Sequence, residues 1–397
     1  MIERVGDLAA FAALRRDWDR LYDASGVSNP FLTHDWIAAW LAHMAHGEGV
    51  VLVHRPRSGA PLDSGILLTT EHSGRWCVPT EHIYRQDVLC RRGMDTPLRP
   101  FLFYIASHEW QIWRVMLHRC HDTPGLRAEI DRTLGPLRFL CLPHDKTIPS
   151  HVIDVGQPFA VYLASRPGKV RQELNRKARQ FDKSVPGARV HEVDLLAGHP
   201  SGQHPAQVAG EAVRIIEEVE ADSWKADAGT AIISSDRELA FYKAVLTIRN
   251  PRTRGRLFVL EGDAGPMAFV LGIQHDDVFY ALKTSFRADQ AKRSPGQVLF
   301  FRIIEELCDR EPATRSLELL GMDSRWKREL ASSARIERTF EIIRPDPAGL
   351  AFALTKKKAL PALRAAAARD PRVARLLQLA RNIRHRLQPS VEEKPQP

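Results

Sequence analysis

The sequence predicts a mixed α/β protein of the α+β kind: two successive units, each a mostly antiparallel sheet flanked by helices. Three observations carry this. The 397 residues exceed what one ordinary core accommodates, so two domains or one duplicated domain is expected. Residues 255–286 hold three apolar runs, GRLFVLEGD, PMAFVLGIQH and DVFYALKTSF, separated by DAG and DD, which is the pattern of an antiparallel meander. Segments with apolar spacing of three and four, the mark of helices, stand on both sides of that meander.

Taken in chain order, Leu8, Phe11, Leu14, Trp18 and Leu21 give one apolar stripe and predict a helix over residues 7–24. A turn at GVSNP comes next. Thr33 then stands as a cap before Trp36, Ile37, Trp40, Leu41 and Met44, a second helix. GVVLVHR, SGILLTT and RQDVLC read as strands, HEWQIWRVMLHRC as strand or helix, GLRAEIDRTLG as a helix, and LRFLCL and SHVIDV as separate short extended pieces.

From residue 159 the pattern sharpens. Ser165 as N-cap and Pro167 in the first turn predict a long basic helix carrying Lys169, Arg171, Arg176, Lys177 and Arg179. A turn and strand (VPGARVHEVDL) and two more helices come next, the second capped by Ser235 or Asp236. After the meander stand a helix over 295–309 with Val298, Phe301, Ile304 and Leu307 on its apolar face, the strand SLELLG, the short helix SRWKRELAS and a last strand ARIERTFEII.

Composition narrows the class. Hydrophobic residues are 44% and charged residues 26%, as in soluble globular proteins. The Met1 region reads as no leader and no run reaches the ~18 apolar residues of a membrane span, so a cytoplasmic protein is expected. Five cysteines, Cys77, Cys90, Cys120, Cys141 and Cys308, form no C-x-x-C pair and read as free thiols. Of 57 Lys and Arg and 48 acidic residues, eleven and three fall in 350–397, leaving 46 against 45 in 1–349. The excess charge belongs to the tail, so no DNA partner is expected and tRNA is disfavoured. The tail mixes Ala, Leu and Arg in helical proportion. It fits either an anionic membrane face or partner, such as a synthase, contacted through 350–390, or a helix packed on the body.

One stretch, FRADQAKRSPGQVLFF, sets Arg287, Lys292 and Arg293 ahead of a helix start. Ser294 and Gln297 are spaced as a capping box with Pro295 at the first helical position. A helix start also attracts phosphate, and Gly296 lets a ligand approach the backbone. Neither a dinucleotide fingerprint nor a P-loop occurs. The arrangement fits a pyrophosphate cradle for an acyl-coenzyme A. His43 with His46, and His118 with His121, lack a third ligand at metal spacing, so no metal is expected, and no hydrolase elbow or zinc helix is present.

In this order the segments NPFLTHDWIAAW, LASRPGKVRQELNRKARQF, DSWKADAGTAI, FYALKTSFRADQAKRSPGQVLF and LELLGMDSRWKREL resemble the GNAT-fold acetyltransferases of the CelD/BcsL type, which are associated with bacterial cellulose biosynthesis. The resemblance covers roughly residues 5–345. It implies tandem GNAT-like units related to the peptidoglycan aminoacyl-transferase group: 1–158 a degenerate companion, 159–345 the catalytic unit, and 346–397 a basic helical tail with a disordered end. The usual acyl-CoA loop is reduced here to KRSPGQ with one glycine, and GMDSRWK has Trp326 where the family commonly has Tyr.

The resemblance implies an acyltransferase moving an acetyl or other acyl group from acyl-CoA to an amine or hydroxyl of a small-molecule, envelope or glycan precursor. The alternatives are an aminoacyl-tRNA-dependent transferase or a non-catalytic accessory of a polysaccharide synthase, with a place in the cytoplasm or at the inner face of the membrane. Lys283, Thr284, Phe286, Arg287, Arg293, Ser294, Gly296, Gln297 and Val298 would hold the acyl-CoA. Tyr280 would protonate the leaving thiolate, and Asp323 or Glu318 would take the acceptor's proton, with Asp323 preferred because loops at strand ends carry sites. Trp224, Lys225 and Lys327 would face the acceptor. Each has a plainer reading: Tyr280 as core, Asp323 as an N-cap, Trp224 as a helix-end anchor, Lys327 as a solvated charge.

Overall fold

The computed structural model describes all residues except 46–48, 72–74, 78–84, 86, 110, 122, 123, 138, 194, 196–204, 345 and 356–397. The expected basic helical tail for the most part lies outside these residues. The first half runs β1 (Ile2–Val5), α1 (Leu8–Ala13), α2 (Arg15–Ser25), α3 (His34–His43), β2 (Gly49–His54), β3 (Ser64–Glu71), β4 (Arg75–Cys77), β5 (Leu89–Cys90), α4 (Arg99–His108), β6 (Arg114–His121), α5 (Pro124–Leu137) and β7 (Leu140–Asp154). After it come α6 (Phe159–Ala164), α7 (Gly168–Ser184), β8 (Arg189–Glu192), α8 (Pro205–Ala221), α9 (Trp224–Asp227), α10 (Asp236–Leu246), β9 (Arg249–Asn250), β10 (Thr253–Gly262), β11 (Gly265–His275) and β12 (Val278–Phe286). The chain closes with α11 (Pro295–Arg310), β13 (Ser316–Leu319), α12 (Arg325–Leu330), β14 (Ser333–Ile343) and α13 (Pro347–Leu354). Among the described residues no helix is long and apolar enough to cross a membrane.

One sheet carries every described strand, in the order β1-β2-β3-β4-β6-β14-β7-β13-β12-β11-β10-β8, with β5 on β3 and β9 on β10. Read from either end the order has the same logic. Three antiparallel pairs lead to a parallel one, β4 with β6 in the first half and β12 with β13 in the second. Then the halves trade strands: β14, last in sequence, lies between β6 and β7, while β7 lies between β14 and β13. The central β7–β14 pair thus joins two pseudo-symmetric units into a mixed α/β tandem.

The meander strands are apolar on both faces because both are covered. Leu257, Val259, Phe269, Leu271, Ile273 and Tyr280 pack in a cluster with α10, α8 and the first half's α2 and α3. On the other face Phe258, Leu260, Val270, Phe279 and Ala281 pack with α11, which buries Val298, Leu299, Phe300, Phe301, Ile303, Ile304 and Leu307. Burying each such side chain stabilises by roughly 1.5–3 kcal/mol before the entropy of ordering is subtracted. Gly272 permits a close approach between β11 and β12: a Cβ there would overlap the Phe279 ring and stand 2.5 Å from the Tyr280 carbonyl oxygen.

Several sequence expectations change. The helix over 7–24 is broken at Leu14 into α1 and α2. Residues 140–142 of LRFLCL and 150–154 of SHVIDV belong to one strand, β7, whose Pro143 sits at the register irregularity opposite Phe340, where proline is tolerated. Ser165 does not cap α7. It closes α6, its hydroxyl donating to the Tyr162 carbonyl, and Pro167 is the N-cap of α7. Thr33 and Ser235 do cap α3 and α10, accepting from the Trp36 and Glu238 amides. The ambiguous HEWQIWRVMLHRC contains strand β6.

Candidate active site

Strands β12 and β13 run parallel from Val278↔Ser316 to Ala281↔Leu319 and then part. Leu282 forms a bulge against β11, between Ala281↔Gly272 and Lys283↔Leu271, which bends the strand and re-aims the residues after it. Beyond the bulge, Lys283 to Phe286 continue along β11 without a β13 neighbour. This opening is bounded on one side by the first turn of α11.

That turn differs from its sequence reading. The Ser294 backbone is left-handed, φ +53°, and its hydroxyl makes no capping bond. The capping box does not form because that backbone carries the Ser294 side chain away from the Gln297 amide. Instead the Gln297 and Val298 N–H groups both donate to the Ser294 carbonyl, 3.1 Å each, and Gln297 Oε1 accepts from Lys177 Nζ at 2.6 Å. Pro295 has no N–H, so the Gly296 N–H remains as the first-turn donor without an intrahelical acceptor. A non-glycine residue held left-handed costs on the order of 1 kcal/mol and clusters at functional sites.

A Cβ added to Gly296 would meet only the Phe286 ring, at 3.4 Å. Protein packing therefore leaves the space over this glycine open, and the chain fits an anionic group there. Around it Lys292 is exposed, Arg293 bonds Gln290, Arg287 pairs with Asp222 at 3.1 Å and Asp289 at 3.3 Å, and Lys177 arrives from α7. A surface groove of about 270 Å³ runs beside it, between Arg287, Gln290, Arg293 and the β10–β11 turn.

On the sheet face away from α11 the register places Tyr280 directly beside Glu318. Both are fully buried. Glu318 Oε1 receives Arg335 Nη1 at 2.7 Å and Arg85 Nη2 at 3.1 Å, while Oε2 has no hydrogen-bond partner among the described residues. Arg85 Nη1 also donates to the Tyr280 hydroxyl, 3.2 Å. Burial pushes the Glu318 carboxyl up from 4.5 to about 7, with Arg85 pulling it down and Glu337 pushing it further up. Burial, and then the Glu318 charge, push the Tyr280 phenol well above its ordinary 10.

Asp323 is not the N-cap of α12; Ser324 is. Asp323 Oδ1 bonds His151 Nε2 at 2.7 Å and Oδ2 bonds Arg328 Nη1 at 2.5 Å. The His151 hydrogen bond, helped by Arg328, holds its carboxyl below the usual carboxylate range. Lys327 is turned to the Leu320 and Met322 carbonyls, 2.6 and 2.9 Å, tying the loop after β13.

Around the open edge of β12, Lys225 Nζ donates to the Thr284 carbonyl at 2.7 Å, and Lys283 pairs with Glu238 at 2.8 Å. Trp224 opens α9, its side chain outside the described residues. The structure thus sets Thr284, Phe286, Arg287, Arg293, Ser294, Gly296 and Gln297 at the open end of β12 and the first turn of α11, with Tyr280 and Glu318 at its base, whereas the Lys283 side chain is committed to Glu238 and Val298 is buried in the core under α11. Asp323 is engaged elsewhere. Arg85 and Arg335 had no signal in the sequence, since their shared partner lies 233 and 17 positions from them in the chain and only the sheet brings them together.

A parallel pair that parts beside a helix start defines the GNAT arrangement, and the comparisons agree. Residues 168–328 match the family model described as the acetyltransferase (GNAT) domain, so this stretch is similar to GNAT domains. No curated protein matches it by sequence. Among solved structures it is similar to FemX, with TM-score 0.55 and 9% identity over 86% of this chain and 97% of that one. It is also similar to the C-terminal domain of an Agrobacterium fabrum protein assigned as a putative lysylphosphatidylglycerol synthetase, with TM-score 0.51 and 12% identity over 87% and 95%. A tandem GNAT protein from the clavulanic acid biosynthesis pathway gives TM-score 0.50 and 12% identity over 87% and 99%. At these identities the likeness is one of fold.

Proposed function

We propose that the chain transfers an acetyl or other acyl group from acyl-CoA to an amine or hydroxyl of a small-molecule, envelope or polysaccharide precursor, in the manner of the CelD/BcsL-type enzymes its segments resemble. The observation that carries this reading is the parting of β12 and β13 beside a helix start whose single glycine is open to a ligand. A pyrophosphate at Gly296 would meet the positive end of α11 with Lys292 and Arg293 near it. The thioester arm would then run along Lys283 to Phe286 into the opening, where direct attack by a positioned acceptor needs little covalent help from the protein.

Of the two carboxylates considered from sequence, Glu318 is the better base. A base works best when its pKa lies near the working pH. Glu318 is raised to about 7, whereas Asp323 is held low and spends both oxygens on His151 and Arg328. Glu318 takes the acceptor's proton directly or through a water at the mouth. Tyr280, with its phenol pushed up away from thiol acidity, serves to orient Arg85 rather than to protonate the leaving thiolate. Lys225, through its bond to Thr284, lines the acceptor side.

The basic helix α7 beside the cradle favours one second reading, aminoacyl transfer from a charged tRNA. The 350–390 tail is assigned to an anionic membrane face or a synthase on the cytoplasmic side. Isothermal titration of the full chain with acetyl-CoA tests the leading reading: saturable binding that Gly296→Glu abolishes is expected. No binding by the wild type, together with tRNA affinity that collapses with salt, would move the assignment to the second.

A further inference from the structure

We propose that the reaction centre is composite: Arg85, from the first half of the chain, is the positioning residue that holds Glu318 and Tyr280 as one constellation at the base of the β12–β13 opening. This rests on the acyl-transfer reading above. The first unit then does more than cover a sheet edge, because the second unit's candidate base is set in place by a side chain it does not itself contain.

The geometry is specific. The two ends of one planar guanidinium reach two neighbouring strands, Nη1 to Tyr280 on β12 at 3.2 Å and Nη2 to Glu318 on β13 at 3.1 Å. Both contacts fall one register step before the strands part at Ala281↔Leu319. A rigid fork fixes the separation of the groups it binds, which a lysine's single ammonium does not. The Arg85 side chain is 18% exposed against 38% for Arg335, so Arg85 is the less screened of the two charges on Glu318.

Arg85 is itself anchored across the junction. Its carbonyl accepts from Asn29 Nδ2 at 3.4 Å. The Asn29 N–H donates to Tyr22 Oη at 3.0 Å, and the Asn29 carbonyl accepts from that hydroxyl at 2.9 Å. Tyr22 Oη also lies 2.9 Å from Nε2 of His275, on β11. Phe31, two residues beyond Asn29, meets the Tyr280 ring edge-on at 5.6 Å. Arg85 is therefore held to the second half twice, through its backbone by way of Asn29 and Tyr22 to β11, and through its guanidinium to β12 and β13.

Among the described residues, the charged and titratable groups around Glu318 are Arg85 from the first half, Arg335 and Glu337 from β14, and Tyr280 from β12. Glu337 is paired with Arg119 of β6 at 2.7 Å, and on β7 the neighbouring His151 is committed to Asp323. Of these groups, the two arginines donate to the Glu318 carboxylate. Removing one opposite charge at this distance raises a carboxyl by about 1 unit or more.

The test uses the full chain. Infrared difference spectroscopy follows the carboxyl band that Glu318→Gln removes, against pH, in wild type, Arg85→Met and Arg85→Lys, with acetyl-CoA titrated into each. The expected result is a midpoint raised by about 1 unit or more in Arg85→Met, an intermediate rise in Arg85→Lys, and acetyl-CoA affinity close to that of wild type, because Arg85 lies on the sheet face away from α11. A midpoint unchanged in Arg85→Met overturns the proposal, as would an affected stability with no movement of the band. Should Arg85→Met not fold, Arg85→Lys decides: a wild-type midpoint there also overturns it. Wild type that binds no acetyl-CoA refutes the acyl-CoA reading while the band still reports on Arg85, so the two failures are distinguishable.

Discussion

Glu318 makes the stability of this protein depend on pH in a calculable way. Its carboxyl is ordinary at 4.5 in the unfolded chain and raised to about 7 in the fold. Between those values the folded state binds the extra proton, so stability falls as pH rises. The contribution is fully present below pH 4.5 and lost as pH passes through about 7. The interval of about 2.5 units corresponds to about 3 kcal/mol, at about 1.36 kcal/mol per unit. The side chain is fully buried, so solvent screening takes little from this figure. Glu318→Gln removes the titration. It also leaves Arg85 and Arg335 short of a carboxylate, a cost that does not vary over this range and cancels from the slope. Urea unfolding of wild type and variant from about pH 4 to about pH 8 should show their difference in unfolding free energy changing by about 3 kcal/mol in the variant's favour toward the alkaline end. A difference that stays constant across pH would show that Glu318 does not titrate near neutrality, and its assignment as the base would go with it.

The strand exchange can be tested by cutting the chain. Because β14 pairs with β6 and β7, residues 159–397 alone should be insoluble or unfolded and should recover a sheet when co-expressed with 1–158; a monodisperse, cooperatively unfolding 159–397 fragment would contradict it. Arg256 is fully buried and joins Glu192 and Glu311, each at 2.5 Å, across β10 and the end of α11. Arg256→Met should therefore cost about 3–5 kcal/mol in denaturant unfolding by stranding two carboxylates, and a loss under about 1 kcal/mol would show the network to be incidental.

Much of the second unit was legible in the sequence. The meander declared itself through three apolar runs and two tight turns, and α11 through its apolar face, because those signals are local and agree with the tertiary structure. The first unit was read less well, for physical reasons. Pro143 and Pro149 split the reading of β7, yet the long strand forms because β14 supplies a partner on one side and β13 on the other. The exchange of β7 and β14 has no sequence mark, since a strand's period is the same whichever neighbour it takes. Ser294 misled because a capping box is inferred from spacing, and spacing does not reveal a left-handed backbone. Asp323 ranked above Glu318 on the general tendency of loops to carry sites, whereas the fold commits Asp323 to His151 and Arg328 and buries Glu318 within the sheet. Arg85 was invisible, because nothing in EHIYRQDVLC points to a carboxylate so distant in the chain.

Everything proposed for Glu318, Tyr280 and Arg85 in catalysis depends on acyl-CoA lying in the opening between β12 and β13, against the start of α11. Hydrogen exchange on the full chain, with and without saturating acetyl-CoA, reads that placement residue by residue. Added protection confined to residues 282–298, and lost in Gly296→Glu, is the expected result. Absence of protection there, or protection confined to the first half of the chain, would contradict it.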